Sequence, residues 1–200
     1  MNLFLVDYDV NKIAEYYFDK HVLKMTLETA QLLSTAHRYV DGYMVIERIK
    51  NRNYKRWHLI DPCMQDALYK STHVNHPTAK WIRESTYNYN FAYDLFIALA
   101  KEYEYRYGKP HLSYIKLKDL LKNPPKRLTK TGSFVYMPEQ FQAIPIEYKQ
   151  KDPVEAYRTY ILLDKQHLFH WTKRDIPYWI PKNLTLEYKK RKKLIDNKSL

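Results

Sequence analysis

The side chains best suited to chemistry in this sequence lie close together, between positions 19 and 38. On a helix with about 100° per residue, apolar side chains cover more than half of the circumference, so this helix is predicted to be mostly buried. One narrow arc is polar and contains His21, Lys24, Glu28, Gln31, Thr35 and Arg38. The arc has two interpretations: the wall of a functional site, or the solvated stripe of an ordinary amphipathic helix.

Glu28 is the centre of the predicted chemistry. It follows Lys24 by four residues and His21 by seven, so the three side chains stack over about 10 Å of one helix face. A carboxylate beside a lysine and an imidazole can act as a general base or stabilise a cationic intermediate. A desolvated lysine amine can form a Schiff base with a sugar aldehyde. The structural alternative is an ordinary ion pair between Lys24 and Glu28, worth a few tenths of a kcal/mol.

A second candidate cluster begins at a predicted helix start. His76 stands before Pro77, and the unpaired amide protons of a first helical turn suit a phosphate group. Arg83 lies about two turns further along. The alternative for His73 and His76 is that both are surface loop histidines. The histidine spacing matches no zinc pattern, so no metal site is expected.

A third group interleaves aromatic and basic side chains near the end of the chain. Trp171, Lys173 and Arg174 belong to it, and Trp179 follows. Rings that stack on exposed bases and cations that bind phosphates make this segment a candidate DNA-contacting surface. The alternative is a hydrophobic strap that closes the core.

The composition favours a nucleic-acid partner. Lysine and arginine total 34 against 22 acidic residues, which gives a net charge of +12, and the chain contains 20 Tyr, 7 Phe and 4 Trp. Cations and rings together suit phosphates and bases, although an A+T-rich genome produces a similar composition. Three glycines exclude a glycine-rich phosphate loop or dinucleotide fold, and the single cysteine excludes disulfides and a cysteine metal cluster. No cofactor is expected.

The length and hydropathy predict one domain in a reducing compartment. There is no apolar run near the ~20 residues of a membrane span and no export leader, so we expect the cytoplasm, that of the host cell if the chain is viral. Residues 1–181 are expected to form the domain and 182–200 a basic tail. No obligate protein partner is evident.

The helix signals predict an all-α fold, a compact single-domain helical bundle with long irregular connections. Residues 45–49 are compatible with either a helix or a hairpin, but no strand alternation persists long enough to predict a sheet. The segment 123–151 is predicted to be a long connection. Helices are predicted over about 19–39, 75–108, 113–122 and 152–170.

Two blocks of the sequence resemble a known family. Asp19-Lys20-His21, Glu28 seven residues after the histidine, and Gln31-Leu32-Leu33 resemble the catalytic helix of the endonuclease V-type pyrimidine-dimer DNA glycosylases of phages. Asn75-His76-Pro77 with Trp81, running towards Tyr105-Arg106-Tyr107-Gly108, resembles the second block of that family. The resemblance covers about residues 1–110.

The resemblance implies a compact all-helical enzyme that is both a glycosylase and an abasic-site lyase. In that family an N-terminal α-amine attacks the C1′ carbon of deoxyribose, and a glutamate assists the chemistry of the resulting imine. Glu28 matches this glutamate, and His21 matches a histidine that contacts DNA.

The chain departs from the family pattern in two places. Arginines surround the family's glutamate, where this chain has Leu27 and Gln31. The family's nucleophile is a small residue exposed when the initiator methionine is removed, whereas this chain begins Met1-Asn2, and a bulky asparagine hinders that removal. Because α-amines as a class are partly neutral at physiological pH, the amine of Met1 is the predicted nucleophile, with Lys24 as the alternative.

The sequence therefore predicts a DNA glycosylase, with abasic-site lyase activity as its second predicted step, acting on damaged or modified pyrimidines in double-stranded DNA. Glu28 is the acid/base or cation-stabilising group. A base- or nucleotide-modifying transferase on the same scaffold and a non-catalytic nucleic-acid-binding protein are the alternatives. The residues expected to contact nucleic acid are His21, Gln31, Arg38, His76, Arg83, Trp171, Lys173 and Arg174.

Overall fold

The computed structural model describes residues 1–132 and 137–184. The basic run predicted for the tail, from Tyr188 to Lys193, lies outside the described residues. Short 3-10 helices occupy Glu139–Phe141, Ile146–Tyr148 and Gln166–Leu168. The remaining elements, in chain order, are α1 (Val10–Tyr16), α2 (Asp19–Asp41), β1 (Tyr43–Ile49), β2 (Arg52–His58), α3 (Pro62–Ala67), α4 (Pro77–Ile82), α5 (Thr86–Tyr107), α6 (Leu112–Leu117) and α7 (Pro153–Asp164).

The two long helices, α2 and α5, pack side by side in opposite directions. Arg106, near the end of α5, binds Asp19 at the start of α2 at 2.8 Å. His37, near the end of α2, forms a 2.9 Å hydrogen bond with the Tyr89 hydroxyl near the start of α5. This antiparallel pair is the spine of the molecule, and it positions the middle of α2 for the other elements to cover.

The bounds predicted for α2 are confirmed to within two residues. Gly42 follows its last turn, where the chain turns sharply into β1. A Cβ at this position would lie 2.3 Å from the Arg38 carbonyl oxygen and 2.5 Å from that of His58, so only glycine fits between α2 and β2.

The single helix predicted over 75–108 is interrupted, so this prediction is wrong in its middle. The chain leaves helical geometry after Arg83, and the Ser85 side chain caps a new helix by accepting from the Asn88 amide at 3.1 Å. Asn88 in turn donates from its side chain to the Trp81 carbonyl at 2.8 Å, which stabilises the end of α4. The end predicted at Gly108 is confirmed, with that glycine at φ +70°.

The last helices begin where expected but end earlier. Asp152 caps α7, with Pro153 in the first turn, as the sequence predicts. α7 ends at Asp164, where a 3-10 turn follows, and α6 is likewise shorter than predicted. The predicted long connection 123–151 contains two 3-10 helices and no α-helix in its described part.

The prediction of an all-α fold is wrong. The chain is mostly helical, but β1 and β2 form a two-stranded antiparallel sheet joined by a two-residue turn at Lys50 and Asn51. Both turn residues have positive φ, 45° and 62°, as tight hairpins require. None of the fourteen strand residues is buried. The alternation that normally marks a strand comes from burial of one face, and this hairpin buries neither face fully.

The described residues share one hydrophobic core that extends from the first residues to Ile180. Trp81, Tyr17, Tyr89 and Phe96 are among its largest fully buried side chains. Within the described part of the chain, no helix has both the length and the apolar character needed to cross a membrane.

Candidate functional site

The first residues of the chain are built into the core, and this fixes the position of the α-amine. Asn2 is buried, and its side chain makes three hydrogen bonds. Its Nδ2 donates to the Ala143 carbonyl at 2.8 Å, and its Oδ1 accepts from the hydroxyls of Thr78 and Tyr157 at 3.3 and 3.0 Å. Three segments that are distant in sequence therefore hold residue 2, and residue 1 is held with it.

Glu28 lies between two amines. One carboxylate oxygen is 3.7 Å from the α-amine nitrogen of Met1, and the other is 3.3 Å from Nζ of Lys24. The side chains of Met1 and Glu28 are 5% and 13% exposed, whereas that of Lys24 is 68% exposed. Because a nucleophilic lysine is normally desolvated, the geometry favours the α-amine of Met1 as the reactive amine.

This pairing has a definite chemical capacity. An amine that attacks a carbonyl carbon must lose a proton, and a carboxylate 3.7 Å away is close enough to receive it after a small movement. The same carboxylate stabilises the positive charge of the iminium that follows.

His76 is the third group near the amine, close enough for the positive charge of the amine to influence the pKa of its imidazole. Its Nδ1 accepts from the Thr78 amide at 3.3 Å and so caps α4. Burial, and then the positive charges of the N-terminal amine and of His73, lower the pKa of His76 to about 4, against an opposing effect of Glu28. The imidazole is therefore neutral at pH 7, and its remaining proton resides on Nε2, where it is a hydrogen-bond donor. We refer to Met1, Lys24, Glu28 and His76 as the amine site.

His21 lies deeper than the amine site, in an aromatic cluster. Its ring stacks on Phe4 with centroids 4.4 Å apart and lies 3.7 Å from the Phe18 ring centroid. Burial, with smaller effects of Lys165 and Lys24, lowers the pKa of His21 to about 3. Its Nδ1 is buried and makes no hydrogen bond within the described residues. The structure thus places His21 beneath the chain start, as a neutral packing partner of Phe4.

Two other residues of the polar arc on α2 were expected to contact nucleic acid, Gln31 and Arg38, and they lie beyond Glu28 towards the end of the helix. Gln31 is half-buried, one turn beyond Glu28. Arg38 is fully buried, and its guanidinium is saturated by backbone and side-chain oxygens. The acceptors of Arg38 are the carbonyl oxygens of Trp57, Gln65, Leu68 and Tyr69 and the side-chain oxygen of Gln65.

Arg83 lies beyond the end of α4, over the ring of Tyr39 at 4.1 Å from its centroid. Its Nη2 donates to the Val74 carbonyl at 2.6 Å. Its Nη1 is buried and makes no hydrogen bond with the described part of the chain. The guanidinium therefore braces the loop that leads to His76.

The predicted C-terminal group belongs to a second charged cluster, at the start of α2. Trp171 is buried and donates to the Tyr16 carbonyl at 2.9 Å, and Lys173 donates to the Tyr105 carbonyl at 2.9 Å. Arg174 binds both carboxylate oxygens of Glu102, at 3.0 and 2.8 Å. These contacts match the alternative interpretation of a strap across the core.

Asp19 and Glu102 anchor this second cluster through short hydrogen bonds. Asp19 accepts from Arg106 and from the amide of Thr172 on one oxygen, and from His170 and the Thr172 hydroxyl on the other, at 2.6–3.0 Å. Burial raises the pKa of Asp19, but the hydrogen bonds from Thr172, His170 and Arg106 outweigh it and hold the pKa below its usual value. We refer to Asp19, Glu102, Arg106, His170, Thr172 and Arg174 as the Asp19 network.

Sequence reasoning missed the residues that position the amine. Asn2, Thr78 and Tyr157 carry no motif, and their contacts span up to 155 positions. The available signal was a polar residue at position 2 in an otherwise apolar opening, Leu3 to Val6. Among the described residues, no group of three His, Cys, Asp or Glu side chains is arranged to hold a metal ion.

Comparison of the chain with protein-family models, with curated proteins and with solved structures gives no match. The resemblance to the phage glycosylases therefore stays a prediction.

Proposed function

We propose that the protein is a DNA glycosylase with abasic-site lyase activity, acting on damaged or modified pyrimidines in double-stranded DNA. The observation that carries the proposal is the 3.7 Å separation between the α-amine of Met1 and the Glu28 carboxylate. Such an amine–carboxylate pair is what imine chemistry at the C1′ carbon of deoxyribose requires. We place this activity in the cytoplasm, that of the host cell if the chain is viral.

The proposed reaction begins with attack of the Met1 nitrogen on C1′. At an intact nucleotide the bond between C1′ and the base nitrogen breaks, and the sugar ring then opens as the ring oxygen O4′ leaves C1′; at a site already abasic, the aldehyde oxygen leaves as water. Glu28 takes the proton that the Met1 nitrogen loses and returns it to the departing base or, at the abasic site, to the departing oxygen. A second proton, from water, completes the O4′ hydroxyl or the leaving water. The resulting iminium acidifies the C2′ proton, and its loss expels the 3′ phosphate by β-elimination.

The surroundings of the pair support the proposal. His76 is neutral at pH 7 because its pKa is about 4, so it offers a donor hydrogen bond to sugar or phosphate oxygens without repelling the amine. The net charge of +12 supplies the attraction to phosphates that DNA binding needs. The target nucleotide must leave the stack to reach C1′, at a cost of a few kcal/mol that phosphate contacts offset.

Borohydride trapping tests the proposal. Protein with an unmodified Met1, verified by intact mass, is incubated with duplex DNA containing one abasic site and then reduced. We expect a covalent adduct whose peptide map assigns the modification to Met1. Acetylation of the α-amine near neutral pH, where lysines stay protonated, is expected to abolish the adduct.

Lys24→Arg is the matched control, because it retains the charge next to Glu28 and removes the alternative amine. It is expected to be trapped as efficiently as the wild type. Binding of abasic DNA without trapping, or trapping that survives acetylation of Met1, contradicts the proposal.

A further inference from the structure

The hairpin formed by β1 and β2 contributes no buried side chain to the hydrophobic core, so core packing does not explain why the chain contains it. An isolated two-stranded hairpin is marginally stable in water. Here all fourteen strand residues are at least partly exposed, and Ile46 at 62% and Met44 at 48% are among the exposed apolar side chains of the described chain. The element projects from the domain and presents apolar and polar groups to the surroundings.

The root of the hairpin is nevertheless held firmly. Arg38 donates to the Trp57 carbonyl at 3.3 Å from inside the core. The Ser71 hydroxyl accepts from the Trp57 amide at 3.2 Å, and the Ser71 carbonyl accepts from Arg56 at 2.6 Å. Gly42 allows the close approach of α2 and β2. The buried Arg38, expected from the sequence to bind phosphate, instead fixes this arm to the end of α2.

The charge of the hairpin is strongly positive. Between Tyr43 and His58 it has five cationic side chains and a single carboxylate. That carboxylate, Glu47, forms a 2.7 Å hydrogen bond with His58 and lies about 4 Å from the cationic groups of Arg56 and Lys70. Hydrogen bonding from His58 lowers the pKa of Glu47, so it stays ionised and paired. The remaining cations have no other carboxylate on the hairpin.

The two faces of the hairpin differ. Glu47 and its partner Tyr54 lie on the face from which Glu47 contacts Lys70 and Arg56 contacts the Ser71 carbonyl. The opposite face carries five exposed side chains, Met44, Ile46, Arg48, Asn53 and Lys55, and Lys50 stands at the tip. At the root of this face, the half-buried Trp57 packs against Tyr39 with ring centroids 5.3 Å apart. Cations, an amide and apolar groups together are the side chains that contact phosphates, base edges and thymine methyl groups.

We propose that this outer face of the hairpin binds duplex DNA as a second contact, away from the amine site. The inference rests on the proposed function for its choice of DNA. A two-stranded ribbon fits the major groove, which is about 12 Å wide. From Glu28, α2 extends about 20 Å to its end at the hairpin root. This distance corresponds to about six base pairs, so the arm contacts DNA that flanks the reacting nucleotide.

The test removes the three outer cations together, as Arg48→Gln, Lys50→Gln and Lys55→Gln. The matched control removes the same charge from exposed lysines of other elements, as Lys12→Gln, Lys101→Gln and Lys109→Gln. Affinity for a 24-base-pair duplex with one central abasic site is measured by fluorescence anisotropy over a range of salt concentrations. Thermal melting verifies that each variant remains folded.

We expect the hairpin variant to bind about 10- to 100-fold more weakly at 0.1 M salt, and its log Kd against log salt slope to fall by about 3. The control is expected to change much less. Equal losses in the two variants, or no loss in either, overturn the proposal. So does a loss for duplex RNA of the same sequence without one for DNA, because the deep, narrow groove of RNA excludes a ribbon.

Trapping at saturating DNA separates this proposal from the proposed function. The hairpin variant is expected to be trapped at the wild-type level once DNA is saturating, since the amine site is untouched. If the wild type binds DNA through the hairpin but is never trapped, the lyase proposal fails and the hairpin proposal stands. If the wild type is trapped and the hairpin variant binds DNA as tightly as the wild type, the hairpin proposal fails and the lyase proposal stands.

Discussion

The amine site and the Asp19 network are both built on α2, yet they treat their carboxylates differently. Asp19 receives four hydrogen bonds of 2.6–3.0 Å, and Glu102 receives three. Within the described part of the chain, Glu28 has two ionic neighbours, at 3.3 and 3.7 Å. A carboxylate whose lone pairs are all occupied by the protein has no capacity left for a substrate. Glu28 retains that capacity, and this is the strongest physical distinction between the two regions.

The cationic side chains differ in the same way, in how much of their hydrogen-bonding capacity the protein itself occupies. Arg38 and Arg174 were expected from the sequence to contact nucleic acid, and both have guanidinium groups committed to protein oxygens. Arg48, Lys50 and Lys55 lie on an exposed arm, and among the described residues they form no comparable network; Arg48 makes one hydrogen bond, to the Asn51 side chain at 3.3 Å. Saturation of hydrogen-bonding capacity therefore identifies structural charges better than residue type does.

The largest expected effect is on stability, from Arg106→Met in the Asp19 network. The Arg106 side chain is fully buried and binds Asp19 and Glu102, so its removal leaves the buried carboxylate of Glu102 and the largely buried one of Asp19 without this partner. We expect the free energy of unfolding in urea to fall by about 3–5 kcal/mol. A loss below about 1 kcal/mol would show that the network is not the structural element described here.

The second effect is on chemistry, from Glu28→Gln. The amide keeps the shape and removes the proton-accepting charge, so the rate of borohydride-trappable adduct formation is expected to fall about 100-fold or more. That loss corresponds to about 2.7 kcal/mol in the activation barrier. Glu102→Gln is the matched control: it is expected to lower stability while leaving the trapping rate per folded molecule unchanged. If Glu102→Gln lowered the trapping rate and Glu28→Gln did not, the Asp19 network rather than the amine site would be the reactive region.

The third effect is on the pH dependence of the free energy of unfolding, which differs between the buried histidines and the Asp19 network. Burial lowers the pKa of His21 to about 3 and that of His37 to about 4, while an unfolded histidine titrates near 6.5. The unfolded chain therefore binds more protons between pH 6.5 and 4, and the free energy of unfolding falls as the pH is lowered through this window. For the Asp19 network, whose carboxyl has a lowered pKa, stability is lost only below about pH 4.

His21→Phe tests this pH dependence, since phenylalanine suits the ring cluster with Phe4 and Phe18. Urea unfolding at several pH values between 7 and 4 is expected to show a slope smaller by up to about 1.4 kcal/mol per pH unit. Equal slopes for the variant and the wild type would mean that His21 is protonated in the folded chain.

The smallest effect is expected from Lys24→Ala. Lys24 is largely exposed and pairs with Glu28 across one helical turn, so stability should change by about 0.3–0.5 kcal/mol. Peptide mapping of the trapped adduct should still assign it to Met1. Loss of trapping in this variant would instead make Lys24 the nucleophile, and the amine site would need a different arrangement.

Local features of the fold were predictable because their causes are local. Asp152 with Pro153, the glycine after Tyr107, and the periodicity of α2 each act within one helical turn, and all three predictions are confirmed. The break at Ser85 was missed because the sequence is equally compatible with an uninterrupted helix. The break is stabilised by the Asn88 side chain, which donates to the Trp81 carbonyl, and by the Lys130 carbonyl, which accepts from the Thr86 amide. For residues 45–49 the sequence left a helix and a hairpin as alternatives, because the exposed faces of the hairpin carry no hydrophobic alternation.

The sequence by itself determined that Glu28 follows Lys24 on one face of a helix, because helical geometry makes residues four apart neighbours. Only the tertiary structure decided that the α-amine of Met1 joins them, through hydrogen bonds from Asn2 to Thr78, Ala143 and Tyr157. It also decided that His21 and Arg38, on the same polar arc, are buried. The physical reason is that spacing along a helix specifies which residues share a face, whereas burial and long-range hydrogen bonds depend on which other segments pack against it.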